Sequence, residues 1–254
     1  MARRILILGG TTEARLLAGR LASRADLDVT VSLAGRTTAI IDHGVAMRVG
    51  GFGGIKGLSD WLEHEGVDLL VDATHPFADQ MSRNAVAASI QTGVRLLALR
   101  RPAWTAELGD RWTEVDGVRE AVVALGGGRR RVFLALGRQE IDAFAQAPQH
   151  FYLVRSIDRV TDRFLDDAVY IEARGPFRAD DERALMASQA IDTVVARNSG
   201  GDAGYAKIAV ARELGAEVIL IRRPVLPEAR TVETVEEAMA FVDHPRTSAA
   251  ARGV

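Results

Sequence analysis

Cysteine is absent from this 254-residue chain, which excludes disulfides, a thiolate nucleophile and Cys-ligated zinc or iron–sulfur centres together. An excess of charge of either sign is missing too: 32 basic against 34 acidic side chains leave a formal net charge of −2. A general nucleic-acid or membrane-surface binder carries a basic surplus, so neither partner is expected. Long apolar runs are also lacking. The opening MARRILILGG sets two arginines before an apolar stretch, but Ile5–Leu8 ends at Gly9-Gly10, far short of the roughly 18 residues of a span or even of a signal-peptide core. A cytoplasmic protein is the expectation, and no metal-ligand set stands out. Lysine is nearly absent, with Lys56 and Lys207 alone among many arginines. A GC-rich coding sequence produces that bias without function, whereas Arg forks that grip carboxylates and phosphates produce it with one; position has to decide.

What is present is a repeated alternation of short apolar runs and helical patterns. Arg4–Leu8, Asp28–Leu33, Val45–Val49, Asp68–Val71 and Arg95–Leu99 read as strands. A helix with Ala14, Leu17, Ala18 and Leu21 on one face follows the first of them, and Leu58–Glu65 and Asp79–Thr92 read as helices. Val/Ile/Leu strands separated by helices imply a parallel sheet covered on both faces. After Pro102 the plan recurs. Strands are predicted at Arg131–Leu136, Phe151–Val154, Val169–Glu172, Thr193–Ala196 and Glu217–Ile221, with helices at Gln139–Ala145, Asp180–Gln189 and Tyr205–Leu214. The halves also echo in wording: DLLVDATHPFADQMSRNAVAASIQTGVRLLALRRP against DTVVARNSGGDAGYAKIAVARELGAEVILIRRP. The fold class is therefore α/β, with two similar doubly wound, mainly parallel-sheet Rossmann-like domains facing a central cleft. Their expected limits are residues 1–102 and 103–245, followed by a disordered tail over 246–254. The final helix, Thr234–Val242, either caps the second domain or crosses back to the first.

The loops after the strands carry the chemistry. Gly9-Gly10-Thr11-Thr12-Glu13 joins the first strand to its helix, where free backbone N–H groups and the helix dipole together attract an anion. Thr11 and Thr12 supply hydroxyls for capping or donation. The G-x-G-x-x-G fingerprint is not met, so a plain βα turn competes with a pyrophosphate site; placement at the carboxyl end of a parallel strand favours the site. The second strand ends Ser32-Leu33-Ala34-Gly35-Arg36-Thr37-Thr38, without the acidic residue that holds the ribose 2′-hydroxyl of NAD. A serine, two threonines and Arg36 suit a 2′-phosphate instead, which points to NADP(H). Gly51 and Gly53, in the loop Gly50–Gly54, and Thr74 and His75, in Asp72–Phe77, belong to the same edge. His75, Asp72 and Tyr205 are the candidate proton donors, though a His before Pro at a helix start is as often structural. In the second half, Asn198, Ser199, Gly200 and Gly201 form a further glycine loop ahead of Tyr205 and Lys207. Arg138, Arg155, Arg174, Arg178, Arg197, Arg222 and Arg223 lie at or near strand ends. Each alone reads as a surface charge; seven together suggest a binding region for a substrate with several carboxylates. Arg178, Asn198–Gly201, Tyr205, Lys207 and Arg222 are its predicted contacts.

Three ordered motifs, ILILGGTTEAR, the DATHPFA loop, and NSGGDAGYAKIAVARELG followed by VILIRRP, resemble the precorrin-6A reductase family, and the resemblance spans Arg3–Val242. It implies an oxidoreductase of cobalamin (vitamin B12) biosynthesis acting on a CH–CH group. NADPH would deliver hydride to carbon 19 of the precorrin-6A macrocycle and a proton would go to carbon 18, giving precorrin-6B. The resemblance also implies two domains, no metal, cofactor mainly on the N-terminal half and a tetrapyrrole as the small-molecule partner, with room for transient contact with neighbouring pathway enzymes. Hydride transfer is the nicotinamide's chemistry, so a protein that mainly positions two rings needs no catalytic triad. Three alternatives remain at this level: a cobalt-precorrin-6A reductase of the anaerobic route, an NADPH reductase of a smaller substrate, and a non-catalytic nucleotide-sensing module.

Overall fold

The computed structural model describes residues 2–35, 44–157, 160 and 164–244. The chain divides into two compact units: one runs to Arg101 and resumes at Val225, and the other is Pro102–Pro224. Among the described residues no helix is long and apolar enough to cross a membrane.

In the first unit, β1 (Arg3–Leu8), β2 (Leu27–Leu33), β3 (Ala46–Val49), β4 (Leu69–Asp72) and β5 (Arg95–Leu99) are joined by α1 (Thr12–Leu21), α2 (Gly54–His64) and α3 (Asp79–Thr92). Alternate residues of the strands serve opposite faces. Ile5, Ile7, Val29, Val31, Leu69 and Val71 pack with Ala14, Leu17, Ala18 and Leu21 of α1. Leu6, Leu8 and Leu70 pack with Leu58 and Leu62 of α2 and Ala85 and Ala88 of α3. Each buried Leu or Ile contributes about 1.5–3 kcal/mol, so both faces are strongly specified. Thr11 caps α1, accepting from Ala14 N at 3.1 Å and donating to Ala73 O at 2.8 Å, which ties the helix start to the loop after β4.

The second unit contains β6 (Trp112–Val115), α4 (Val118–Ala124), β7 (Arg131–Ala135), β8 (Phe151–Ser156), β9 (Ala168–Glu172), α5 (Ala179–Ser188), β10 (Thr193–Arg197), α6 (Ala206–Leu214) and β11 (Glu217–Ile221). Phe133, Leu153, Val194, Ala196, Met186 and Ile208 form the core under α5 and α6. Gln139–Ala145, predicted as one helix, is instead two 3-10 turns, Arg138–Glu140 and Asp142–Gln146. Phe144 of the second turn is fully buried and meets Tyr152 edge-on at 5.9 Å.

β12 (Thr231–Val232) and α7 (Val235–Asp243) complete the chain, and they correct the predicted domain limits. Residues 225–244 do not continue the second domain. β12 pairs in parallel with β5, and Val235, Ala238 and Val242 of α7 enter the core under α1. Arg24 binds Asp243 at 2.6 Å to hold the return. The two sheets then read β12-β5-β4-β1-β2-β3 and β6-β11-β10-β7-β8-β9. They share one strand order: β4-α3-β5 and β10-α6-β11, the segments that echo in sequence, occupy equivalent places. The sixth position of each sheet is filled by the strand that follows the fifth strand of the other. The predicted tail over 246–254 lies outside the described residues.

Candidate functional site

In the first unit, the predicted anion turn has the required form. Gly10 adopts φ +111°, where a Cβ would strain the backbone, and no atom lies within 4 Å of where that Cβ would stand. Gly9 is confined differently, since a Cβ there would meet Val31 at 3.0 Å and Leu33 at 3.3 Å. At the start of α1, Ala14 N takes the Thr11 hydroxyl and Arg15 N the Thr11 carbonyl. The N–H groups of Thr12 and Glu13 meet no acceptor among the described residues, which leaves donors for a phosphate. Thr11 itself is committed to the cap and to Ala73. Glu13 places a carboxylate in this first turn, and Arg101 neutralises it at 2.7 Å in a pair that is only 15–22% exposed.

At the end of β2, Ser32 is buried, and its hydroxyl accepts from Arg48 at 2.8 Å. Gly35 has φ +72° and a Cβ there would touch Val49 at 3.1 Å. Arg36, Thr37 and Thr38 lie outside the described residues. Gly51 and Gly53 border α2, and Gly51 O accepts from Arg48 at 3.2 Å. Arg48 was not singled out from the sequence, although a cation two residues before the Gly50–Gly54 loop was the available signal.

The loop after β4 is built around Asp72, which is 2% exposed. Its carboxylate accepts from Thr74 N at 3.2 Å, Thr74 Oγ1 at 2.7 Å and Ser82 Oγ at 2.6 Å, with Arg100 at 3.9 Å. Asp72 therefore fixes the Thr74–His75 loop through its acceptor capacity. The Nδ1 of His75 accepts from Phe77 N at 3.3 Å, a bond that puts the proton of the neutral ring on Nε2.

In the second unit the glycine loop after β10 is filled by the protein itself. A Cβ on Gly200, at φ +66°, would lie 2.0 Å from Pro102 O and 2.2 Å from the Arg223 guanidinium. Asn198 accepts from Trp104 N at 2.8 Å and donates to Trp104 O at 2.9 Å. Gly201 O accepts from the Trp104 indole at 2.9 Å, and the Ser199 hydroxyl lies 3.4 Å from Arg197 O. The Tyr205 hydroxyl donates to Glu107 at 2.8 Å and accepts from Arg212 at 2.6 Å; burial and then the bond to Glu107 raise its pKa. Lys207 is buried and donates to Gly204 O at 2.6 Å. Burial first, then repulsion from Arg155, lower its pKa to about 8, partly opposed by Glu182. The Arg155–Glu182 ion pair is buried, and Arg155 also stacks on Phe177 at 3.7 Å.

The seven arginines lie at or near the carboxyl ends of strands, with Arg155 inside β8 and Arg197 closing β10, but they are not a uniform set. Arg155 is paired with Glu182, Arg197 with Glu140 at 2.6 Å, and Arg222 with Asp116 at 2.6 Å and Glu114 at 3.4 Å. Arg223 straps the glycine loop through Asn198 O and Ser199 O. Arg138, Arg174 and Arg178 are exposed, and the Arg178 side chain, 79% accessible, has Asp180 at 3.9 Å as its one ion-pair partner among the described residues.

The family model for the precorrin-6x reductases CbiJ/CobK matches residues 4–243. A precorrin-6A reductase of Sinorhizobium sp is 54% identical over 242 residues, covering 95% of this chain and 93% of the relative. One from Rhodobacter capsulatus is 48% identical over 246 residues, 96% of this chain and 98% of its own. The solved structure of a CobK precorrin-6A reductase superposes with a TM-score of 0.91 at 48% identity, covering 95% of this chain and 96% of the other. The chain belongs to the precorrin-6x reductase family.

Proposed function

We propose that this chain reduces one double bond of the precorrin-6A macrocycle to give precorrin-6B in cobalamin biosynthesis, with NADPH as the reductant. The match of the family model across residues 4–243 carries this reading. The first unit adds local support, because its α1 terminus combines Gly10 at positive φ with N–H donors at Thr12 and Glu13. Gly10, Thr12 and Glu13 would hold the pyrophosphate through their backbone N–H groups, with Gly9, whose own N–H donates to Ser32 O at 2.9 Å, packed beside them. Ser32 would border the ribose in place of an acidic residue, and Gly51, Gly53, Thr74 and His75 would complete the edge. Bound there, NADPH supplies hydride to carbon 19, with a proton added at carbon 18. The exposed Arg178, with Arg138 and Arg174, would meet substrate carboxylates, because a guanidinium forks naturally onto a carboxylate.

The test is spectrophotometric. Purified protein is mixed with metal-free precorrin-6A and either NADPH or NADH. One NADPH oxidised per macrocycle, with NADH at least about tenfold poorer in kcat/KM, is expected from the lack of a 2′-hydroxyl acceptor on β2. Turnover of cobalt-loaded precorrin-6A but not of the metal-free form would move the chain to the anaerobic route. Binding of NADPH without oxidation in the presence of either tetrapyrrole would remove the enzymatic reading.

A further inference from the structure

Arg48 differs in its company from six other arginines of the first unit. Arg4, Arg20, Arg24, Arg83, Arg100 and Arg101 each face a carboxylate within 4 Å. Arg48 faces none among the described residues. Its guanidinium donates to Ser32 Oγ at 2.8 Å, Gly50 O at 3.1 Å and Gly51 O at 3.2 Å, all neutral acceptors. One face of the group lies 3.7 Å from the Phe52 ring centroid, with Trp61 at 5.9 Å. A guanidinium has five N–H donors, and three are accounted for by these bonds. Arg48 is thus a partly buried cation whose orientation is fixed and whose charge meets no carboxylate among the described residues. Burial lowers its pKa, the direction expected for a charge without a counter-ion.

Its place in the sheet gives this a use. Arg48 stands opposite Ser32 in the β2–β3 register, and Ser32 stands opposite Leu8 in the β1–β2 register. Leu8 is the last residue before the glycine turn that opens α1. Arg48 is therefore two strand spacings, roughly 10 Å, from the anion turn, a distance that one ribose and an Arg side chain together cover. In dinucleotide-binding sheets the end of β2 reads the ribose 2′ position, through an acid for a hydroxyl or an Arg for a phosphate. Here that position is a serine whose oxygen is already held by a cation from the neighbouring strand.

We propose that Arg48 is the residue that selects NADPH over NADH, binding the 2′-phosphate together with Ser32. The assignment rests on the cofactor reading above and replaces reliance on Arg36 alone. The aromatic stack and the two glycine carbonyls hold the guanidinium in place before binding, so little side-chain entropy remains to be lost when the dianion arrives. The competing role is a staple that fastens the Gly50–Gly51 loop to β2. A staple would weaken both nucleotides alike, whereas a phosphate ligand acts on the ratio.

Calorimetric titration separates the two roles without turnover. NADPH, NADH, 2′,5′-ADP and AMP are titrated into the unmodified protein, Arg48→Met, Arg48→Lys and Arg36→Ala. Arg48→Met is expected to weaken NADPH and 2′,5′-ADP about ten- to a hundredfold, the range for one charge-assisted contact, and to leave NADH and AMP within about twofold. Arg48→Lys, which keeps the charge and a similar stem, is expected to retain part of the preference and covers the case in which Arg48→Met does not fold. Equal losses for all four ligands overturn the inference, as does a full NADPH preference in either Arg48 variant while Arg36→Ala abolishes it. Equal affinities for NADPH and NADH in the unmodified protein overturn the cofactor reading itself, and this assignment falls with it.

Discussion

Asn198 clasps the backbone of Trp104 from a distance of 94 residues: its side-chain oxygen takes the Trp104 N–H and its amide donates to the Trp104 carbonyl. Both residues are buried, so neither backbone group has water to fall back on. The sequence placed Asn198 against the substrate; the geometry commits its side-chain oxygen and one amide N–H to the backbone of Trp104. Asn198→Leu should therefore cost about 2–4 kcal/mol, from two buried groups left without partners. Urea unfolding followed by Trp fluorescence measures it. A stability loss below about 0.5 kcal/mol, together with a raised KM for the tetrapyrrole, would return Asn198 to the substrate.

Gly10 separates binding from folding. Its φ of +111° disfavours any side chain, but the surrounding space is open. Gly10→Val should cost about 1–3 kcal/mol of backbone strain and leave the unit folded, while the valine occupies the position assigned to phosphate. NADPH affinity should fall at least about tenfold, with a preserved circular dichroism spectrum. Unchanged affinity in a folded variant would place the pyrophosphate elsewhere.

Lys207 makes stability depend on pH. Its folded pKa is about 8 against an ordinary 10.5, so between those values the unfolded chain holds a proton that the folded chain has released. Unfolding free energy therefore rises with pH through that window, by up to about 3 kcal/mol at 1.36 kcal/mol per unit. Below about pH 8 the cost of burying the ammonium is present in full. Lys207→Met removes the titration, so its advantage over the unmodified protein should shrink as pH rises from about 8 to 10.5. Urea midpoints for both proteins across that range give the difference; a constant offset would show that the ammonium is not buried at a cost.

Continuous apolar runs made β1, β4, β5, β7, β10 and β11 legible, because strands buried on both faces have no alternation to obscure. The missed elements, β6, β12 and the seven-residue α4, are short. β6, WTEV, and β12, TV, are also partly exposed, and nothing in either run says which sheet receives it. That choice is made by long-range pairing, and it is why residues 225–244 were assigned to the wrong half. α2 begins at Gly54 rather than Leu58 because a glycine-rich first turn hides a helix start. At the sites, Gly10 and Gly200 look alike in sequence, each in a glycine pair ahead of a helix. Only tertiary packing shows that Gly10 faces open space whereas Gly200 makes room for Pro102 and Arg223. Arg48 was passed over for a similar reason: its meaning lies in the neighbouring strand, not in its own neighbours.

Arg178 and Arg222 carry the same charge and were predicted to do the same work, but their surroundings differ. Arg178 is 79% exposed, with its nearest carboxylate among the described residues at 3.9 Å, whereas Arg222 is held by Asp116 at 2.6 Å and Glu114 at 3.4 Å. A guanidinium already paired must give up those contacts to take a substrate carboxylate; a nearly unpaired one gives up water alone. Arg178→Ala should raise KM for precorrin-6A about five- to a hundredfold, the loss of one charged contact of about 1–3 kcal/mol. Turnover should stay within about twofold, because a peripheral carboxylate is held equally in ground and transition states. Arg222→Ala should change KM by less than about threefold, since exposed pairs contribute only about 0–1 kcal/mol in either direction. Steady-state kinetics of the two variants, each checked for unchanged NADPH affinity, decide between them. A larger effect at Arg222 would mean that its acidic partners are displaced on binding. No effect at either would mean that the macrocycle's carboxylates are met by other residues.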